Sequence, residues 1–390
     1  MLVLNNLSDK ALDLLPVSKY KIIKQEPNLK PQVILLRSAD MHTQNWGKDL
    51  IAVGRAGTGV NNIPVAALSR LGVGVFNAPG ANANAVKELV IGSMLMSARK
   101  LFSAAEYVKH LKATEAELPG LLESAKKSFS GIELPGYKLG VVGLGAVGVK
   151  VANTGVALGM EVYGYDPQIS VQNAWHLSAD VHQENSLETL LHSCDFISIH
   201  VPLVPATKLL INEENLKTMK SHAVVMNFSR EGIVDDEAMI QTLDEGKVGW
   251  YVTDFPTNAN KNHPRVLALP HLGASTIQAE ELASTQVVEQ VKEFIETGNI
   301  SYSVNLPEVK AGLIPAGACR IALIHENNVG MIAKITDTIG QFDINILEMT
   351  NKSRNDLAYS LVDIEGVCTA ELLNKLLQCE GVCSARYCGS

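Results

Sequence analysis

The hexapeptide Gly143-Leu144-Gly145-Ala146-Val147-Gly148 has the residue types and spacing to hold a phosphate-bearing ligand. Gly143 permits a tight turn out of the apolar run 139–142, and Gly145 lets a pyrophosphate approach the backbone. Gly148 lets the following helix pack closely, and that helix would offer the free N–H groups of its first turn, around Ala146 and Val147, to the anion. A second apolar run, 162–165, ends on Asp166, eighteen residues after the last glycine, where a carboxylate can accept hydrogen bonds from a ribose diol. That carboxylate repels a 2′-phosphate, and Pro167-Gln168 supplies no arginine to receive one, so NAD is expected rather than NADP. A glycine-rich turn alone is a common strand–turn–helix. Strand, turn, helix, second strand and terminal acid in this order make a dinucleotide site the better reading.

Other polar residues follow short apolar runs. Arg37 and Arg55 would point two fixed cations at one crevice, because ligands of open α/β sheets bind at the carboxyl ends of strands. Arg37 reads equally as a surface arginine, whereas Arg55, among glycines in a strand-end turn, favours function. Asn77 and Gly80 close the next run. Further on, His200 and Pro202, Ser229 and Arg230, Asp254, and His271 with Gly273 each follow an apolar run, on the side where a nicotinamide would lie.

The elements that must position these residues are those of an α/β protein. Runs near 33–36, 51–53 and 73–76 are apolar throughout, as expected of parallel strands buried on both faces, with helical stretches between them. Residues 82 to about 135 read as helix and then a polar link (112–136) into the fingerprint strand. The strand–helix pattern resumes after Asp166, and a long helical pattern covers 277–296. Gly298, Pro307, Gly312, Pro315 and Gly317 punctuate a linker from about 298 to 317. The remainder reads βαββαβ, the order of a ferredoxin-like module.

With 390 residues the chain should hold two or three domains with sizeable cores. A hydrophobic share of 46% and a charged share of 19% are those of a soluble globular protein. The formal net charge of −8 argues against nucleic acid or an anionic membrane as the main partner, but not against a small anionic substrate. No cationic leader and no run near the roughly 20 apolar residues of a span occur, so neither secretion nor membrane insertion is expected. The six cysteines form no CxxC pair and no zinc-ligand pattern. Reduced thiols in a cytoplasmic protein, with no metal, are the expectation.

With these residues in view, the chain resembles the D-2-hydroxyacid dehydrogenase family over nearly its whole length. The resemblance rests on the segment from Val53 to Asn62, on Asn77-Ala78-Pro79-Gly80 and on the glycine fingerprint. It rests also on Asn227-Phe228-Ser229-Arg230 with Gly232-Ile233-Val234-Asp235, and on Pro270-His271-Leu272-Gly273-Ala274-Ser275-Thr276. Within the family, the Arg55 segment and the C-terminal module, which resembles an ACT domain, point to the branch that oxidises 3-phosphoglycerate. The resemblance implies a Rossmann-like NAD-binding domain (98–280) inserted in a flavodoxin-like substrate domain (1–97 and 281–311), followed by the ACT domain (318–390).

The same resemblance implies roles. Arg230 would hold the substrate carboxylate and His271 would take the hydroxyl proton. Arg55 would contact the substrate phosphate, with Arg37, Asn77 and Gly80 around it. The NAD site would comprise Gly143, Gly145, Ala146, Val147, Gly148, Asp166, His200, Pro202, Ser229, Arg230, Asp254, His271 and Gly273. His325, Asn327 and Asn345 resemble the L-serine-binding signature of a feedback domain, although a loop and cap without a ligand would look the same. Such modules pair edge to edge, implying a homodimer or homotetramer.

One departure matters. The family carries a glutamate partner for its histidine, and here no Glu occurs between Glu245 and Glu280. Asp254 either orients His271 or holds the nicotinamide carboxamide, the second being slightly favoured. The departure leaves open a broader 2-hydroxyacid dehydrogenase or 2-oxoglutarate reductase, or an NAD-sensing regulator that has lost turnover.

Overall fold

The computed structural model describes residues 1–5, 7–24, 30–43 and 46–388. It divides into two compact units, Met1–Asn82 with Ile277–Ser390, and Ala83–Thr276.

The first unit holds two sheets. Strands β1 (Leu2–Leu4), β2 (Ile23–Lys24), β3 (Val33–Leu36), β4 (Ala52–Arg55) and β5 (Gly74–Asn77) run parallel in the order β2-β1-β3-β4-β5. Their side chains alternate between two cores. Ile34, Leu36, Val53 and Val75 pack on one face, and Val33, Leu35, Ala52 and Phe76 on the other. The long helix Ile277–Thr297 covers the second face through Val287, Val291 and Phe294. Gly54 makes that contact possible. A Cβ there would sit 3.0 Å from a methyl of both Val287 and Val291, so the helix would have to give by a few tenths of an ångström.

The second unit is a seven-stranded parallel sheet. Its strands are β6 (Lys138–Val142), β7 (Glu161–Tyr165), β8 (Val181–Gln183), β9 (Phe196–Ile199), β10 (Val224–Asn227), β11 (Trp250–Thr253) and β12 (Val266–Ala268). The order β12-β11-β10-β9-β6-β7-β8 reverses direction between β6 and β9, which creates a topological switch point there. The units part at Asn82/Ala83 and Thr276/Ile277, whereas the sequence reading set the joins near 97 and 280. The physical reason is the helix Ala83–Ala98. Its buried face (Val86, Val90, Met94, Ala98) packs into the core beside β6 and β10. The polar link expected over 112–136 contains a further helix, Leu118–Ala125. Among the described residues no helix is long and apolar enough to cross a membrane.

The C-terminal strands β13 (Ala318–Glu326), β14 (Ile346–Arg354), β15 (Leu357–Glu365) and β16 (Val382–Cys388) form an antiparallel sheet ordered β14-β15-β13-β16. Two helices, Met331–Gly340 and Ala370–Leu377, complete the βαββαβ order read from the sequence. The helices cover one sheet face, around Ile321, Leu323, Val362 and Ile364. The alternate residues Ala322, Ile324, Tyr359 and Leu361 join the same core as Phe76, Val287 and Phe294. The module is therefore fused to the five-stranded unit.

The segment expected as a linker is also built in. Ser303 pairs with Phe76, Val304 donates to the Val75 carbonyl at 2.8 Å, and the Asn305 carboxamide bonds both Val75 N and Val73 O. Punctuation by Gly and Pro marked its turns but not the strand edge that it satisfies.

Within the module, Arg320 and Asp363 lie opposite each other on β13 and β15, 1% and 2% exposed. They form a bidentate pair, Nε to Oδ1 at 2.6 Å and Nη2 to Oδ2 at 2.7 Å. Removing one partner of such a buried pair leaves the other charge uncompensated. Asp363→Ala is therefore expected to cost about 3 kcal/mol or more of the stability of this unit, read from denaturant unfolding. A loss below about 1 kcal/mol, the range of exposed pairs, would show that the pair does not hold the sheet.

Candidate active site

Parallel register brings the ends of the second unit's strands into one row. Tyr165 on β7 lies beside Val142 on β6, followed by Ile199, Asn227, Thr253 and Ala268 on β9 to β12. Gly143, Asp166, His200 and Asp254 are each the next residue after a member of that row, and Ser229, Arg230 and His271 follow within three residues. Residues scattered over more than a hundred positions thus come to one sheet edge.

At the switch point Gly143 adopts φ +91°, and a Cβ there would lie 2.6 Å from the His200 carbonyl oxygen. A Cβ on Gly148 would lie 1.9 Å from the Gly143 carbonyl oxygen, so the helix Ala146–Ala157 can approach its strand only with glycine at that point. Its N-cap, Gly145, has no side chain to cap the first turn and faces open space. The first-turn N–H groups, with no acceptor within the helix, can therefore meet an anion. Asp166 accepts from Leu144 N and Gln168 N, both at 2.8 Å, which fixes its carboxylate beside the glycine turn. These features fit the pyrophosphate and ribose of a dinucleotide.

His200 accepts or donates a 2.7 Å bond with the Ser198 hydroxyl, and burial pushes its pKa down to about 3. It is a neutral hydrogen-bonding group at any working pH. Pro202, two residues on, is exposed, and its carbonyl accepts from the Thr207 hydroxyl at 2.5 Å.

The loop after β10 is built on Asn227, 2% exposed, whose carboxamide accepts from Ser229 N and donates to the Arg230 carbonyl. Ser229 is buried and its hydroxyl donates to the Ile199 carbonyl at 2.6 Å, tying β10 to β9. Ser229, expected at the cofactor, thus makes a structural bond with its side chain. Arg230 is exposed, with Nη1 donating to the Ser229 carbonyl at 2.6 Å. Its fork has donors left for a carboxylate.

Asp254 is 1% exposed, and both of its oxygens accept backbone N–H groups at 2.7 Å, from Leu272 and Gly273. Its carbonyl accepts from His271 N at 3.1 Å, and its own N–H donates to the Asn227 carbonyl. The sequence left Asp254 between the nicotinamide carboxamide and the imidazole. Its carboxylate instead grips the peptide groups after His271, and a Cβ on Gly273 would lie 3.2 Å from it. This grip holds His271 at φ +57°, an uncommon conformation for a non-glycine residue. The exposed His271 ring has the Phe255 ring at 5.0 Å, and among the described residues it has no carboxylate partner. Sequence reasoning missed Asn227 as the loop's organiser. The signal was an asparagine closing an otherwise apolar strand.

In the first unit a second row forms, Leu36 beside Arg55 beside Asn77. The Arg55 guanidinium bonds the Gly59 carbonyl within its own loop, and Asn77 donates to the Thr58 carbonyl at 2.6 Å. Gly80 turns with φ +78°. Arg37, the residue after Leu36, pairs through Nη1 with Glu280 Oε1 at 2.6 Å.

In the module, His325 is 1% exposed, bonding Ser360 Oγ at 3.0 Å and the Glu326 carbonyl at 2.8 Å. It crosslinks strands inside the sheet, so the surface contact expected of it is closed in this structure. Asn327 donates to the Asn355 carbonyl, and Asn345 is exposed.

A D-3-phosphoglycerate dehydrogenase of Haemophilus influenzae is 32% identical over 350 residues, 86% of this chain and 81% of that one. The chain belongs to the D-isomer specific 2-hydroxyacid dehydrogenase family. The NAD-binding domain of that family matches residues 91–273. A D-3-phosphoglycerate dehydrogenase of Methanocaldococcus jannaschii is 35% identical over 292 residues, 72% of this chain. Several such relatives are longer, and the chain spans about half their length, 53% for that of M. jannaschii. Among solved structures, NAD+-bound 3-phosphoglycerate dehydrogenase of Entamoeba histolytica superposes with a TM-score of 0.61 at 26% identity, covering 78% of this chain and 98% of that one. NAD is accordingly the cofactor, and the matched NAD-binding domain spans the glycine turn and Asp166.

Two outcomes follow from this geometry. Because the His200 pKa is lowered by folding, the unfolded chain binds a proton that the folded one does not. The contribution of His200 to stability is thus complete above about pH 6.5 and is lost as pH falls toward 3. His200→Gln should remove up to about 1.4 kcal/mol per pH unit from the slope of stability in that window, seen as a flatter unfolding midpoint against pH. Parallel curves for both proteins would refute it. Asp254→Asn can accept only one of the two N–H groups and is expected to lower kcat at least tenfold while NAD affinity stays within twofold, the latter measured by fluorescence titration. Loss of NAD affinity alone would assign Asp254 to the cofactor.

Proposed function

We propose that this protein oxidises 3-phospho-D-glycerate to 3-phosphohydroxypyruvate with NAD, the first step toward L-serine. The observation that carries the reading is the placement of Arg230 and His271 on one sheet edge with the dinucleotide turn, both on loops fixed by buried polar groups. The names of the relatives support phosphoglycerate as the substrate. The reading assigns Arg55, at the end of its strand, to the phosphate.

The Arg230 guanidinium pairs with the substrate carboxylate, fixing the carbon that bears the hydroxyl. An imidazole nitrogen of His271 takes the hydroxyl proton as the carbonyl forms. Bound NAD supplies the acceptor for the electron pair of the C–H bond. With no carboxylate partner among the described residues, His271 releases that proton to solvent from an exposed position.

The reading includes L-serine as an effector at the module, where the exposed Asn345 and the loop of Asn327 offer donors and acceptors without the buried His325. It also includes a homodimer or homotetramer. The helices Leu101–His110 and Leu118–Ala125 bury no residue and expose Leu101, Phe102 and Val108, which supports a partner surface. Six free cysteines accord with a cytoplasmic location. A broader 2-hydroxyacid or 2-oxoglutarate activity is the second reading, favoured by the pairing of Arg37 with Glu280, which leaves one cation fewer for a phosphate.

NADH formation from 3-phosphoglycerate and NAD, with and without L-serine, tests the proposal. Turnover with phosphoglycerate is expected, and Arg230→Lys should lower kcat/KM at least a hundredfold because a point charge cannot replace the fork. Reduction of 2-oxoglutarate without phosphoglycerate turnover would select the second reading. Turnover indifferent to L-serine would remove the effector site.

A further inference from the structure

The last carbonyls of a helix have no partner inside it. For the long helix Ile277–Thr297 the C-terminal module supplies partners to the Phe294, Ile295 and Thr297 carbonyls, the first of which also accepts from Gly298 N. Arg386 donates to the Phe294 and Ile295 carbonyls, Arg320 Nη1 to the Thr297 carbonyl at 3.2 Å, and Tyr359 Oη to the Gly298 carbonyl at 2.6 Å. The Arg386 guanidinium also lies 4.2 Å from the Phe294 ring centroid. The three side chains come from β16, β13 and β15. Ala322 pairs with both Arg386 and Leu361, and Ile324 with Tyr359, which puts the donors on the sheet face away from the module's own helices. Two guanidinium groups also sit where the helix dipole is negative.

At the other end of this helix, Glu280 in the first turn holds Arg37, one residue beyond the row of Leu36, Arg55 and Asn77. Between the two ends the helix packs closely on Gly54, where a Cβ would lie 3.0 Å from the Val287 and Val291 methyls. Residues 280 and 294 are about 21 Å apart along the axis, at 1.5 Å per residue. A stiff rod in a close-packed groove passes an axial or rolling shift from one end to the other.

We propose that Arg386 is a remote positioning residue. By holding the carbonyl end of the long helix, it sets the place of Glu280 and, through it, of Arg37 at the substrate edge. The proposal rests on reading that edge as the phosphate site, and its test keeps the two apart. Arg386→Ala is expected to change KM for 3-phosphoglycerate by about threefold to tenfold, with kcat and KM for NAD within twofold. Arg386→Lys, which keeps the charge at the helix end, should restore most of the change. In a Glu280→Gln background Arg386→Ala should have no further effect on KM, because the connection to Arg37 is already cut. Amide hydrogen exchange in Arg386→Ala should rise at 277–282 as well as at 294–298.

Faster exchange confined to 294–298 with KM unchanged would overturn the proposal, leaving Arg386 as a local cap. Equal effects of Arg386→Ala in both backgrounds would overturn the route through Glu280. Should wild-type protein not turn over phosphoglycerate, the functional reading fails and the exchange pattern still decides the coupling. Tyr359→Phe, which removes one bond and no charge, gives the same comparison with a smaller change if Arg386→Ala does not fold.

Discussion

Among the described glycines the tightest constraint is the approach of one helix to one strand. A Cβ on Gly148 would lie 1.9 Å from the Gly143 carbonyl oxygen, so the turn between them can close only with glycine. That closure brings the uncapped helix N-terminus to the switch point between β6 and β9, where its free N–H groups can meet an anion. His200, whose carbonyl crowds Gly143, sits on the far side of the same point, and its burial keeps it neutral beside the site.

Two buried polar groups then turn a sheet edge into a site that can do chemistry. Asn227 and Asp254 close neighbouring strands, and each is enclosed almost completely. Enclosed polar groups must find partners, and both find them in the backbone of the loops that follow. The side chains left outside those loops, Arg230 and His271, are exposed. Order beneath and exposure above is the division of labour expected of a site whose exposed groups must meet a ligand without relaxing.

The C-terminal module extends the same logic to the other unit. A ferredoxin-like sheet has one face for its own helices and one face to cover. Here the second face carries Ala322, Ile324, Tyr359 and Leu361 into the core of the five-stranded unit, and arginines from the same face close the long helix. A module joined in this way has no independent core on that face. Its position and that of the helix are one property of the fold.

Much of this was legible in the residues. The glycine spacing, Asp166 and the alternating helices and apolar runs determined a doubly wound sheet and a dinucleotide site, because each depends on contacts close in sequence. The βαββαβ order of the last seventy residues was legible for the same reason. The grip of Asp254 on the His271 loop, the enclosure of His325 and the pairing of Arg37 with Glu280 were not. A carboxylate, an imidazole and a guanidinium read alike in a sequence whether they face a ligand or a buried backbone. Their neighbours come from strands and helices up to 243 positions away, as with Arg37 and Glu280. The sequence alone determined which groups reach the strand ends. Packing decided which of them remain open to a ligand, because only the assembled core says where polar groups must be satisfied from within.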